Sequence, residues 1–117
     1  MEIRNAKIVG THLGLQDHGI FTFWLDVEFD GGSVGIGGWA LDEWDPVQKK
    51  RVFQPESMEI IQKILETVGV ENWEDLSGNY IRIKSDGWGS TVEEIGNLMS
   101  EKWLNFRTFF EAYQKQK

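Results

Sequence analysis

The residues of this chain best suited to chemistry surround its first predicted turn. His12, Asp17 and His18 could meet across a hairpin there, and an Asp–His pair can transfer protons or bind a metal. The chain has two histidines and no cysteine, so a zinc site would need carboxylates from elsewhere. Asp17 and His18 also fit ordinary turn residues that bond to nearby backbone. We favour that interpretation and predict no catalytic residue and no metal site.

A glycine-rich run is the second candidate motif. Residues 35–40, GIGGWA, match the letters of a dinucleotide-binding fingerprint. That fingerprint needs a helix whose N-terminus faces the pyrophosphate, and here strand-like sequence continues into Asp42 and Pro46. The run therefore favours a strand with a bulge or a close approach of another backbone. We predict no cofactor.

The third candidate lies in residues 42–55, which read as a loop with an acidic and a basic half. Loops on rigid scaffolds often carry binding residues, and an aromatic ringed by polar groups is typical of an interface hot spot. The alternatives are a tryptophan packed on its own sheet and a solvated patch of basic residues. The predicted binding residues, including one tryptophan from a later turn, are Asp42, Glu43, Trp44, Asp45, Lys49, Arg51 and Trp88.

Composition limits the classes of function. The chain has 117 residues, a size typical of one domain, and we expect residues 1–117 to form it. Its net charge of −7 disfavours non-specific binding to nucleic acid, because the electrostatic attraction has the wrong sign. No apolar run approaches the roughly 20 residues of a membrane span. Six tryptophans exceed what a small core hides, so we expect some at an interface.

Hydrophobic periodicity predicts the elements that position these residues. Residues 2–13, 20–29 and 33–41 should form an antiparallel meander, and the alternation of residues 20–29 is that of a half-buried strand. Residues 80–84 predict a fourth strand, and residues 91–98 a fifth strand or a helical turn. The resulting order, β-β-β-α-β-β-α, predicts an α+β fold with two helices packed on an antiparallel sheet of about five strands.

Two helices are expected. The first runs from about Glu56 to Val68, after Pro55 and before Gly69, a natural C-cap. Its predicted apolar stripe is Met58, Ile61, Ile64, Leu65 and Val68. A short helical turn is expected at residues 72–76. The second helix is predicted from Trp103 to Gln114, with its aromatic residues on one side.

Nearly the whole chain resembles a family of small phage and prophage proteins. The motifs that carry the resemblance are the Asp17-His18-Gly19 turn, the strand ending Gly37-Gly38-Trp39-Ala40-Leu41-Asp42, the Val68-Gly69-Val70 and Trp73-Glu74 segment, and Lys102-Trp103. Gln16 stands where the family has an acid, and Leu104 where it has an aromatic residue. Asn97 replaces a histidine, which argues against a catalytic histidine there. The resemblance implies a phage setting and no particular mechanism.

Three functions remain open from the sequence. The first is a non-enzymatic phage accessory protein that binds and inhibits a host protein, in the manner of an anti-CRISPR counter-defence protein. The second is an oligomeric binder of a small nucleotide signal, with phosphate held by Arg51, Arg82 or Arg107. The third is an enzyme that uses Asp17 and His18. We expect a protein of the bacterial host's cytoplasm that binds neither DNA nor membrane and that could form a homo-oligomer.

Overall fold

The protein is an α+β structure with helices packed on a large antiparallel sheet, as predicted. A computed structural model describes residues 2–16, 19–85 and 91–114. Those ranges hold eight strands rather than about five: β1 (Glu2–Gln16), β2 (Ile20–Phe29), β3 (Gly32–Ala40), β4 (Asp42–Asp45), β5 (Lys50–Phe53), β6 (Tyr80–Ser85), β7 (Glu94–Asn97) and β8 (Trp103–Asn105). The helices are α1 (Glu56–Val68) and α2 (Phe106–Gln114), and Trp73–Asp75 form a short 3-10 turn. Neither helix is long and apolar enough to cross a membrane.

Six of the strands form one sheet in the order β3-β2-β1-β6-β7-β8, with every neighbouring pair antiparallel. The first three strands make the predicted meander, and β2 has the predicted bounds. β1 is longer than predicted because its pairing with β2 continues to Gln16. A register shift between Ile8 and Gly10 marks a bulge at Val9. Residues 91–98 provide strand β7 rather than a helical turn.

The core lies between one face of this sheet and the two helices. Helix α1 has the predicted bounds, and Gly69 closes it in the left-handed conformation with its N–H bonded to the Leu65 carbonyl at 2.8 Å. The predicted stripe was wrong at Met58, which is 75% exposed. The buried stripe is Ser57, Ile60, Ile64, Thr67 and Val68. These positions follow spacings of three, four, three and one, which fit one face of a 3.6-residue helix as well as the predicted set did.

The second helix begins at Phe106, not at Trp103. Residues Trp103–Asn105 instead form β8, which pairs with β7 so that Trp103 lies opposite Gly96. The Asn105 side-chain oxygen accepts the Thr108 N–H at 2.9 Å and so caps the first turn of α2. This cap fixes the helix start three residues later than the aromatic spacing predicted.

The predicted loop over residues 42–55 is largely a β-hairpin. Strands β4 and β5 pair antiparallel from Asp42 opposite Phe53 to Asp45 opposite Lys50. The hairpin is attached to the main sheet, because the Leu41 N–H bonds to the Phe21 carbonyl at 2.8 Å. Strand periodicity therefore decides which of its side chains share a face.

Candidate protein-binding surface

Asp42 fixes the position of the β4–β5 hairpin. Its side chain is only 6% exposed, and its two oxygens accept the Phe21 N–H at 3.3 Å each. Arg51 donates to the Asp42 carboxylate at 2.8 Å and to the Asp42 carbonyl at 3.1 Å. The hydrogen bond from Arg51 lowers the pKa of Asp42, and the Phe21 N–H lowers it further, against the opposing effect of burial. These two predicted binding residues thus bind each other and orient the hairpin.

Asp45 shapes the turn at the end of the hairpin. Its carboxylate accepts the N–H groups of Val47 at 2.8 Å and Gln48 at 3.1 Å, and these bonds lower its pKa. Lys49 adopts a left-handed φ of 55°, which completes the turn. Of the remaining charges predicted to bind, Glu43 and Lys49 are exposed.

Four exposed apolar side chains lie on the β4–β5 hairpin and on the end of β1 that pairs beside it, and are here called the hairpin-end surface: Leu13, Leu15, Trp44 and Phe53. Leu15 lies directly opposite Phe21 in the β1–β2 ladder, and the Phe21 and Phe53 rings meet edge to face at 5.5 Å. Leu15 and Phe53 are each 68% exposed. Leu13 is opposite the buried Phe23, so it continues the same apolar face of the sheet beyond the core.

Trp44 extends this surface along the hairpin. It lies opposite Arg51 and two residues from Asp42, so by strand alternation it shares a face with Phe53. Its side chain is 57% exposed, so more than half of it is accessible to a partner. The bonded Asp42–Arg51 pair shares this face, because Asp42 lies opposite Phe53 and Arg51 opposite Trp44. Exposed apolar side chains grouped with charged residues are typical of protein interaction sites.

Trp24, by contrast, is held on the other face of the sheet. Its indole lies against β3, where a Cβ added to Gly38 would come within 2.6 Å of the ring and one on Gly35 within 3.3 Å. Its Nε1 donates to the Gln16 side chain at 2.6 Å. At Gly37, with φ of +137°, a Cβ would meet the Phe23 carbonyl oxygen at 2.3 Å. The glycine run thus accommodates the chain's own indole and backbone.

Trp103 is held in the same way. A Cβ on Gly96 would come within 2.5 Å of its ring. The Arg82 guanidinium and the Lys84 ammonium lie 4.5 and 4.2 Å from the ring centroid, which are cation–π distances. This outer face of the sheet is therefore built from tryptophans that are already in contact with glycines and cations.

The three arginines considered for phosphate binding are engaged within the chain. Arg51 binds Asp42. Arg82 donates to the Asn97 carbonyl at 2.8 Å and to the Ser100 carbonyl at 2.7 Å. Arg107 forms a two-bond pair with Glu93, which lowers the pKa of that carboxyl. A phosphate ligand would have to compete with these acceptors for any of the three.

Asn97 has a structural role. Its side-chain amide donates to the Thr67 and Val68 carbonyls at the end of α1, at 3.0 and 3.2 Å. Its side-chain oxygen accepts the N–H groups of Met99 and Ser100, both at 2.9 Å. One side chain thus joins the C-terminus of α1 to the turn between β7 and β8.

A separate open cavity of about 370 Å³ lies between the hairpin and α2. Its walls are Trp39, Ala40, Asp42, Glu43, Gln54, Glu56 and Phe110. The Trp39 ring stacks on Phe106 and Phe110 at 5.2 and 5.8 Å, so the aromatic wall is part of the core layer. Of the three acidic residues in its walls, Asp42 and Glu56 are buried and Glu43 is exposed.

Of the remaining candidate site residues, the structure describes only His12. Asp17, His18 and Trp88 lie outside the described residues. His12 is exposed and opposite Trp24 in the β1–β2 ladder. Within residues 2–16, 19–85 and 91–114, no group of three or more histidine, aspartate or glutamate side chains is arranged to hold a metal.

Of the four residues of the hairpin-end surface, Trp44 is among those predicted to bind, and Leu13, Leu15 and Phe53 are not. Two patterns in the sequence indicate these residues. The apolar alternation of β1 continues through Leu15, and the strand-like run KRVF of β5 lies inside the predicted loop. Comparison with known proteins adds no relative, since no family model, curated protein or solved structure matches the chain.

Proposed function

We propose that this chain is a non-enzymatic binding protein that docks on a protein partner through its hairpin-end surface. The observation that carries the proposal is the exposure of Leu13, Leu15, Trp44 and Phe53 on strands that meet at Phe21, whose ring joins Leu15 to Phe53. A large rigid aromatic gains much apolar contact area for little loss of entropy, which suits Trp44 to be the main anchor.

The partner is a host protein, and binding inhibits it. This part of the proposal is supported by the resemblance to small phage proteins, which makes a bacterial defence component the most suitable class of target. The net charge of −7 and the exposed Glu43 favour a partner surface that is apolar at its centre and basic around it. The cytoplasm of the infected bacterium is the corresponding location.

The test is capture of host proteins on the immobilised chain, followed by mass spectrometry of the protein and small-molecule fractions. The wild type is compared with a Trp44→Ser/Phe53→Ser double variant. Met99→Ser is the matched control, because Met99 is an exposed apolar residue in the turn between β7 and β8. We expect one host protein to be retained by the wild type and the control and lost from the double variant.

Two results would contradict the proposal. Retention of the same host protein by the folded double variant would place binding elsewhere on the molecule. A nucleotide that co-purifies with the wild type and the double variant alike, without a host protein, would favour the nucleotide-binding alternative. The enzymatic alternative is addressed by His18→Asn, which should leave inhibition of the captured partner unchanged.

A further inference from the structure

One edge of the main sheet has no second strand paired to it in the part of the chain that the structure describes. Strand β3 ends the strand order, so only β2 pairs with it among the described residues. A two-residue turn, Asp30-Gly31, connects the two strands, and Phe29 lies opposite Gly32. Because antiparallel pairing alternates from such a turn, the N–H and C=O groups of Ser33 and Gly35 point away from β2.

This edge lacks the charged residues and prolines that commonly prevent strands from pairing between molecules. Strand β3, Gly32–Ala40, contains no charged residue and no proline. Its regular part, from Gly32 to Ile36, precedes the bulge that begins at Gly37 and spans about 17 Å at the usual rise of a strand. A long, uncharged edge is a template for another strand. The opposite edge, β8, has only three residues before α2 begins.

The core is also incompletely covered near β3. Val34 faces the core side, opposite the buried Val27, yet it is only partly buried. Phe109 and Phe110 of α2 pack against the core and are partly exposed. The Phe110 ring stacks on Trp39 of β3 at 5.8 Å, which places this aromatic helix face beside the same strand. Apolar side chains therefore border the unpaired backbone.

We infer that β3 pairs with β3 of a second copy of this chain, in antiparallel register about a two-fold axis at Gly35. In that register Ser33 lies opposite Gly37 of the other copy, and Val34 lies opposite Ile36 of the other copy. Val34 and Ile36 are both on the core side, so the two cores become continuous. The outward N–H and C=O groups of Ser33 and Gly35 then bond to the backbone of the other copy. The apolar side chains beside β3 become more buried.

The partner is a second copy because its β3 offers Ile36, a core-side apolar residue, opposite the incompletely covered Val34 of the first copy. Antiparallel pairing of identical strands matches each outward N–H with an outward C=O of the same segment. Glycines at positions 35 and 37 add no side chain on the outer face that could obstruct the other copy. The inference does not rest on the proposed function, because none of Leu13, Leu15, Trp44 and Phe53 belongs to β3.

Analytical ultracentrifugation of the full chain over a wide concentration range tests this inference. We expect the wild type to sediment as a species of twice 13.5 kDa. Ser33→Pro removes one outward N–H and leaves the β2 ladder intact, so it should shift the protein to the monomer mass. Ser33→Ala, which keeps the N–H, is the matched control and should remain a dimer.

A second variant, Ser33→Lys, and hydrogen exchange of the wild type test the same inference if Ser33→Pro folds poorly. Ser33→Lys places a charge at the edge and should likewise give a monomer. In the wild type the Gly35 amide should exchange more slowly at high than at low protein concentration, and in Ser33→Lys it should be fast at both. A wild type that is monomeric throughout, or a dimer unaffected by either edge variant, would overturn the inference.

Discussion

Trp24 and Trp44 are both strand tryptophans, yet their surroundings assign them opposite roles. Trp24 lies against Gly35 and Gly38 of the neighbouring strand and donates to Gln16. Trp44 lies on a two-stranded hairpin, is 57% exposed and is opposite Arg51, whose guanidinium is committed to Asp42. The comparison shows that an excess of tryptophan does not by itself indicate an interface. The glycines of the adjacent strand distinguish a packed indole from an available one.

The outer face and the hairpin-end surface should therefore respond differently to mutation. Changes beneath Trp24 or in the core should lower stability, whereas changes at the hairpin-end surface should alter binding alone. Single substitutions on either side of that division should differ most in the free energy of unfolding.

The strongest effect is expected at Gly37. Gly37→Ala places a Cβ 2.3 Å from the Phe23 carbonyl oxygen at a φ of +137°, so steric overlap adds to backbone strain. We expect a loss of about 3 kcal/mol or more in the free energy of unfolding. Gly78→Ala is the matched control, because its φ is +95° but no atom lies within 4 Å of the added Cβ. Equal losses in urea unfolding of the two variants would show that the close packing at β3 is unimportant.

The core stripe of α1 should give the next largest effect. Ile64 is fully buried, so Ile64→Ala should cost about 2–5 kcal/mol. Met58→Ala, at a position 75% exposed, should change stability by less than about 0.5 kcal/mol. Leu65→Ala, at a partly buried position, should fall between them. Denaturant midpoints of the three variants check this order, and a large loss in Met58→Ala would favour the originally predicted stripe.

Asn97→Ala should destabilise the protein by about 2 kcal/mol, because it removes donors to the end of α1 and acceptors in the following turn. Asn97→Asp keeps the acceptor oxygens but places a negative charge at the C-terminus of a helix. We therefore expect thermal unfolding to show at least as large a loss for Asn97→Asp. Full stability of the aspartate variant would mean that the amide donors contribute little.

Asp42 should make stability depend on pH. Its pKa is lowered in the folded protein, chiefly by the Arg51 hydrogen bond. A carboxylate with a lowered folded pKa stabilises the fold above its unfolded pKa of about 3.9, and that contribution is lost as the pH falls through the folded value. Asp42→Asn should lose stability at neutral pH and show a smaller further loss on acidification. Parallel unfolding curves for both proteins across acid pH would contradict this role.

Local signals in the sequence predicted much of this fold. The bounds of α1 follow from Pro55 and Gly69, and those of β2 from uninterrupted alternation between two turn signals. The β4–β5 hairpin was missed because Pro46 and its charged residues resemble a loop. Its order depends on the contact of Asp42 with Arg51 and Phe21, which lies outside any local window.

The candidate site was predictable only in part. Trp44 stood out by its residue type and acidic neighbours. The exposure of Leu15 and Phe53 depends on where the helices stop covering the sheet, and residue type does not encode that. Asp42 and Arg51 were expected at the surface as binding charges, but burial makes them a structural pair.

Trp44→Ala tests the central claim most directly, when stability and partner affinity are measured on one sample. More than half of this side chain is exposed in the free chain, so its free energy of unfolding should change by about 1 kcal/mol or less. Affinity for the captured host protein should fall by about 2 kcal/mol, which is roughly 30-fold. A loss of stability with unchanged affinity per folded molecule would contradict the assignment of the hairpin-end surface as the binding site.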